Sequence, residues 1–276
     1  MNPRASIIIP THQVEKREGN IINLLQKLSR VLDPDLYEVI VVCNNGNVAR
    51  HLGVSEREPL SMMPGSRVKV VNLRANYGLS YAWNRGLEQA TGDYIFFVNH
   101  DLILTRDENI FEQMIKRKEY YEVRAGRNVF LFGVEGTRQT DNPDVRMVQR
   151  LQIGQFGEVT EVDEVSGFLF GIKSSLLYPN FFDEKLSPCF YEEMDLCLRL
   201  RDHNKQLRFM NMEPMVNVII PDVGYRHDFG VSAADPRNNV LLWFSSLTKE
   251  TYREDLWTIN RRNKRYLERK WNVTLV

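Results

Sequence analysis

An α/β fold, with a central mostly parallel sheet covered by helices on both faces, is predicted by three observations. Short, wholly apolar runs recur through the first hundred residues: Ser6-Ile7-Ile8-Ile9, Val39-Ile40-Val41-Val42 and Tyr94-Ile95-Phe96-Phe97-Val98. Stretches with helical spacing of apolar residues separate them. Strands that are apolar throughout, rather than alternating, are buried on both faces, as in parallel sheets.

The elements follow in order. The first strand covers 6–9 and stops at Pro10. Ile21, Leu24, Leu25, Leu28, Val31 and Leu32 then recur at three- and four-residue steps, so a helix follows. The second strand, 39–42, runs into the turn cluster Asn44-Asn45-Gly46-Asn47. A third strand is predicted over 68–73, a helix over 78–90 with Gly92 as its C-terminal glycine, and a fourth strand over 94–98. Beyond residue 107 the pattern loosens. A strand fits 129–134, while 137–164 is polar and mixed. The apolar run 165–172 contains Gly167 and Gly171 and reads as a bent strand. A helix fits 192–204, a short strand 216–220 ends at Pro221, and a helical tail is predicted from residue 236. No repeat or linker interrupts the chain. One domain over 1–276 is expected, with a ligand-binding half at 1–104, a second half at 105–235 and the tail at 236–276.

Bulk properties narrow the function. The 276 residues are 43% hydrophobic, enough for a sizeable core. Lys plus Arg equals Asp plus Glu, 36 each, which argues against a nucleic-acid binder. The three cysteines, Cys43, Cys189 and Cys197, have no metal-type spacing and point to a reducing compartment. No run reaches the roughly 18 apolar residues of a membrane span, so a cytoplasmic protein is expected.

The chemistry concentrates where the fourth strand ends, at Asn99-His100-Asp101. Open α/β sheets bind ligands at the carboxyl ends of their strands. A carboxylate with an amide oxygen there suits a hard divalent cation. Strand alternation turns His100 the other way, so it is not expected to be a ligand. Asn and Asp are also common in plain strand-end turns, and the surrounding residues decide between the readings.

Those residues resemble family 2 glycosyltransferases of the GT-A, Rossmann-like fold, such as bacterial rhamnosyltransferase-like polysaccharide enzymes. Ala5-Ser6-Ile7-Ile8-Ile9-Pro10-Thr11 is similar to the family's opening strand. Asn76-Tyr77-Gly78, Asn84, Gly86, Ala90 and Thr91-Gly92-Asp93-Tyr94 follow its rhythm. Asn99-His100-Asp101 falls where the family carries its D-x-D or N-x-D metal motif. Val165-Ser166-Gly167, Phe182-Asp183-Glu184 and Glu192-Glu193-Met194-Asp195-Leu196-Cys197-Leu198-Arg199-Leu200 are similar to its acceptor-side motifs.

The resemblance implies an inverting, metal-dependent transfer from a nucleotide-diphosphate-sugar, UDP- or dTDP-linked, to a glycan or lipid-linked glycan in surface polysaccharide assembly. It places a Mn2+ or Mg2+ ion on Asp101, with Asn99 and His227. The last lies in Tyr225-Arg226-His227-Asp228-Phe229-Gly230-Val231-Ser232, similar to a late family loop. A histidine binds metal as neutral imidazole, so such binding weakens in acid. Glu193 takes the position of the family's aspartate base, one carbon–carbon bond longer, with Glu192 or Asp195 as substitutes. Acidic residues are also favoured in a first helical turn by the helix dipole, and Asp195 with Arg199 forms a plain i,i+4 pair. Thr11, Cys43, Asn44, Arg74 and Asn76 are the expected nucleotide-side residues. Cys43-Asn44 replaces an expected carboxylate, so either Asn44 takes over by hydrogen bonding or the base is recognised differently. Gly167, Phe168 and Glu192 are expected on the acceptor side, and Arg146 and Arg150 meet either an anionic acceptor or solvent.

Two readings of the basic tail stay open. Arg261, Arg262, Lys264, Arg265, Arg269 and Lys270 alternate with aromatic residues. They fit a docked helix with a charged outer face or a basic helix lying on the inner face of a membrane. Two rival functions also remain: a non-catalytic sugar- or nucleotide-binding relative, and a sugar nucleotidyltransferase. The latter normally needs a Gly-rich basic loop where Pro10-Thr11-His12-Gln13 stands.

Overall fold

The computed structural model describes residues 2–12, 20–45, 67–139, 148–151, 157–227, 241–245 and 251–275. In chain order these form β1 (Ala5–Thr11), α1 (Ile21–Val31), β2 (Tyr37–Cys43), β3 (Arg67–Asn72), α2 (Leu79–Leu87), β4 (Tyr94–Val98), β5 (Ile103–Leu104) and α3 (Ile110–Ala125). Then come β6 (Val129–Gly133), β7 (Gly136–Gln139), β8 (Val148–Leu151), β9 (Thr160–Val162), β10 (Glu164–Val165), β11 (Leu169–Lys173) and α4 (Glu192–Phe209). The chain closes with β12 (Val216–Ile219), β13 (Tyr225–Arg226), the hairpin β14 (Leu241–Ser245) and β15 (Thr251–Asp255), and α5 (Leu256–Trp271).

The main sheet has the order β3-β2-β1-β4-β11-β6-β12-β9. β3, β2, β1 and β4 are parallel, as the apolar runs of β1, β2 and β4 predict, while β3, at the sheet edge, carries Lys69 among its valines. β11 enters antiparallel between β4 and β6, and β9 antiparallel beside β12. Alternate side chains supply two cores. Ile7, Ile9, Val39, Val41, Phe96 and Val98 face α1 and α3, against Leu24, Leu25, Leu28, Phe111, Met114 and Ile115. Ile8, Ile40, Val42, Ile95 and Phe97 face the other way, against Trp83 of α2, Leu196 and Leu200 of α4, and Phe181 and Phe182.

Two expectations are corrected. α2 ends at Leu87, so Gly92 is not its cap. Gly92 instead lets the chain cross β1, where a Cβ would stand 2.5 Å from the Ser6 amide nitrogen. The predicted helix from residue 236 also fails: 241–245 pairs antiparallel with 251–255, and α5 begins only at Leu256. Trp243, Phe244, Thr251 and Tyr252 favour extended backbone, which the basic residues downstream obscured. α5 starts cleanly because the Asp255 carboxylate accepts from the Thr258 amide. Among the described residues no helix is long and apolar enough to cross a membrane.

Candidate active site

Three parallel strands deliver their C-terminal residues to one edge. β1 ends at Thr11, β2 at Cys43 and β4 at Val98, followed by Asn99-His100-Asp101. Thr11 and Cys43 lie opposite each other and are buried. Burial pushes the Cys43 thiol up to about 12, so it stays neutral.

Asn44, at the end of β2, sits in a knot of hydrogen bonds. Its amide donates to Asn76 Oδ1 (2.9 Å) and the Gly78 carbonyl (3.1 Å), and its Oδ1 accepts from the Tyr77 amide (3.0 Å). Both N–H groups are committed to the loop before α2. Asn44 therefore fastens β2 to that loop, and its amide has no donor left for a base. Asn76 belongs to the same knot, accepting also from the Gly78 amide. Gly78, at φ +92°, is the residue that turns this loop into α2. Arg74 stands exposed beside it.

At the end of β4, short β5 pairs antiparallel with β13, Ile103 opposite Arg226. That pairing carries the next residue, His227, to Asp101: Nε2 stands 3.4 Å from Oδ1, and both side chains are largely covered. Burial pushes the Asp101 carboxyl up, but the approach of His227 and the charge of His100 outweigh it and hold Asp101 below its ordinary range. Phe168 fixes the imidazole from behind, its ring stacked 4.3 Å away at 3°. Asn99 is tied in by its backbone N–H, which donates to the Phe168 carbonyl (2.9 Å).

His12 is a site residue that the sequence reading missed. Its ring meets His100 edge-on at 5.7 Å. Burial, then the neighbouring His100, lower its pKa to about 4, so it is neutral at physiological pH. The available signal was its position, the first residue beyond β1.

Among the described residues no three His, Cys, Asp or Glu side chains converge as a closed metal shell. What converges is the pair Asp101 and His227, with Asp101 Oδ1 buried and accepting no hydrogen bond of normal geometry. A carboxylate oxygen and an imidazole nitrogen fit Mn2+ or Mg2+ when a ligand's own oxygens complete the coordination. The loop 228–232 after His227 lies outside the described residues.

The motifs around Gly167 and Glu193 meet at the start of α4. Glu193 lies over Gly167, where an added Cβ would stand 2.8 Å from Glu193 Cδ and 2.9 Å from each carboxylate oxygen. Burial raises the Glu193 carboxyl, and backbone N–H donation, including that of Gly167, partly offsets it. Glu192 is 2% exposed, and among the described residues its Oε1 makes no hydrogen bond. Burial and then the Glu193 charge push Glu192 well above the glutamate range, so of the two Glu192 holds a proton the more readily. Asp195, the other substitute, is fully buried and taken: it accepts from Arg199 (2.5 Å), Lys270 (2.7 Å) and Trp271 (2.8 Å). Glu193 is left as the carboxylate with partial exposure. Phe168 is 4% exposed and serves the His227 stack. Arg146 lies outside the described residues, and of Arg150 only the backbone, in β8, is described.

Gly167→Ala is therefore expected to spare the fold and to cost transfer activity. The clashing atoms are the far end of a long side chain, which moves cheaply but no longer lies over residue 167. A Tm within a few degrees of wild type together with at least a tenfold lower kcat is the expected pair of results.

α5 holds the loop before α4 in place. Asn263, fully buried, donates to the carbonyls of Leu186 (2.6 Å) and Cys189 (2.8 Å). Arg262 donates to the Ser187 carbonyl (2.5 Å) and Tyr191 to Asn260 (3.3 Å). The loop needs this support because Phe190 and Tyr191 both have positive φ, 81° and 74°. Each costs roughly 1–3 kcal/mol and persists only where its surroundings enforce it. Asn263→Leu strips the donor from the buried Leu186 carbonyl and the part-buried Cys189 carbonyl, at roughly 1–3 kcal/mol for the buried one. A Tm lowered by several degrees in calorimetry is expected, and an unchanged Tm would refute this account of the loop.

Residues 6–174 match the profile of the family described as Glycosyl transferase family 2. An uncharacterized glycosyltransferase of Synechocystis sp. is 26% identical over 165 residues, 59% of this chain and 47% of that protein. The chain thus spans about half the length of the curated relative it matches. S. aureus TarS 1–349 in complex with UDP-GlcNAc superposes with a TM-score of 0.52 at 18% identity, covering 82% of this chain and 58% of that one. GalNAc-T7 with UDP, GalNAc and Mn2+ gives 0.51 at 12% identity, covering 80% and 43%. At these identities the two structures show a shared fold.

Proposed function

The chain belongs to glycosyltransferase family 2, and from that premise we propose that it transfers a sugar from a nucleoside-diphosphate donor to a hydroxyl of a glycan or lipid-linked glycan, with inversion. The observation that carries the reading is the meeting of Asp101 and His227, from separate halves of the chain, at the end of β4. The ligands bound by the two structural neighbours, UDP-GlcNAc and UDP with Mn2+, support a donor of this class.

The donor diphosphate would lie at the ends of β1 and β4. Asp101, with Asn99 and His227, would hold a divalent cation there, which supplies neutralisation of the charge on the leaving diphosphate. Glu193, ionised while Glu192 stays protonated, takes the proton from the acceptor hydroxyl. That oxygen bonds to the anomeric carbon as the bond to phosphate breaks, and the nucleoside diphosphate leaves with the electron pair. Attack opposite the leaving group inverts the centre. His12, neutral at physiological pH, adds no positive charge of its own beside Asp101.

A thermal-shift screen of nucleoside diphosphates with Mn2+ tests the donor half, since a bound ligand raises Tm by mass action. A rise with UDP or dTDP that depends on Mn2+ is expected. No rise with any nucleoside diphosphate would overturn the reading. Release of free sugar from the matching donor separates an enzyme from a binding protein.

A further inference from the structure

α5 presents two chemically different faces. Leu256, Ile259, Asn263 and Leu267 are buried against the body of the protein. Trp257, Arg261, Arg265 and Arg269 follow one another at four-residue steps on the outer side and are all exposed, Trp257 at 55%. The row is about 18 Å long at about 1.5 Å per residue. Arg261 stacks on Trp257 with its guanidinium 5.2 Å from the ring centre.

The row is electrostatically unfavourable on its own. Like charges four residues apart on a helix repel, and here two such pairs stand in line. Elsewhere in this neutral chain basic groups face acids: Arg4 meets Glu119, Lys69 meets Glu38, Arg106 meets Asp222 and Lys118 meets Glu122. Among the described residues none of Arg261, Arg265 and Arg269 has a carboxylate at ion-pair distance. The helix carries six cations and a single acid, Glu268, whose Oε1 accepts from the Leu275 amide. Of the other three cations, two are used inward, Lys270 on Asp183 and Asp195 and Arg262 on Ser187. Charge left uncompensated along one exposed face, with a tryptophan at its head, is complementary to an extended anionic surface that also accepts an interfacial indole.

We propose that the outer face of α5, through Trp257, Arg261, Arg265 and Arg269, is a docking surface for an anionic phospholipid membrane. The two readings of the tail then describe two sides of one helix. The inner side grips the loop before Glu193, and the outer side rests on lipid headgroups. A lipid-linked acceptor, as in the function proposed above, would be met at such a surface, but the docking stands apart from that chemistry and its test reads no catalysis.

The full chain is mixed with vesicles of phosphatidylcholine alone or of phosphatidylcholine with phosphatidylglycerol, then sedimented. Wild type is expected to pellet with the anionic vesicles, to be released by salt, and to stay in solution with neutral ones. Each arginine near an anionic surface is worth roughly a fivefold change in partitioning. Arg265→Ala should bind about fivefold more weakly, and Arg261→Ala/Arg265→Ala/Arg269→Ala about a hundredfold, with unchanged melting curves. The proposal is overturned if wild type ignores the anionic vesicles, binds neutral ones equally, loses nothing in the triple variant, or binds soluble polyglutamate more tightly than the vesicles.

Discussion

Glu193→Gln is expected to lower kcat by about 10²–10⁴-fold, the usual worth of a general base, with donor affinity unchanged. The amide keeps the size of the carboxylate over Gly167 but cannot take a proton. The fold should not suffer, because the Glu193 charge is one of the causes that force Glu192 to stay protonated. Glu192→Gln mimics that protonated state and should remain active, which separates the two neighbours. An inactive Glu192→Gln beside an active Glu193→Gln would move the base by one residue. The pH profile adds a check. Glu193 is raised by burial, so the acid limb of kcat should lie above the ordinary glutamate range of about 4.3. The sign for stability follows from Glu192. A carboxyl raised in the folded state binds a proton that the unfolded chain has released, so folding is favoured at low pH and loses that contribution as pH rises through the folded value. Glu192→Gln should therefore raise Tm near neutrality.

Much of the fold around the candidate site was legible because buried parallel strands leave a plain mark. β1, β2 and β4 are apolar runs, β3 a valine-rich one, and their ends differ from the predicted ones by no more than two residues. Asp101 was legible because it follows such a run directly. The antiparallel entry of β11 was not, since a short apolar strand with a glycine inside it carries no sign of direction. Asn263 escaped for a different reason. It interrupts the apolar spacing of Leu256, Ile259 and Leu267, so it looks like a surface residue. Its partners are backbone carbonyls of the loop 186–189, which no side-chain pattern encodes. His12 has no periodic context at all, and its place is set by the convergence of β1 and β4. Asn44 was legible as a departure from the family's carboxylate, but only geometry shows its amide spent on Asn76, Tyr77 and Gly78.

Asp101→Ala is expected to abolish Mn2+-dependent stabilisation by a nucleoside diphosphate and to lower transfer by about 10³-fold. Cation stabilisation of a leaving group is worth several kcal/mol, and each 1.36 kcal/mol is tenfold in rate. Asp101 is the one carboxylate at the end of β4, and the amide of Asn99 carries no charge to replace it. The loss should be selective. Asp101 makes no helix cap, and its neighbour His227 keeps its place on the Phe168 ring. The variant should thus melt within a few degrees of wild type without ligand, while wild type alone gains Tm when Mn2+ and the diphosphate are added together. His227→Ala should give a weaker form of the same defect, since imidazole supplies a ligand but no negative charge. If Asp101→Ala retained the full ligand-dependent shift, the cation would have to be held elsewhere, and the meeting of β5 with β13 would be architecture alone.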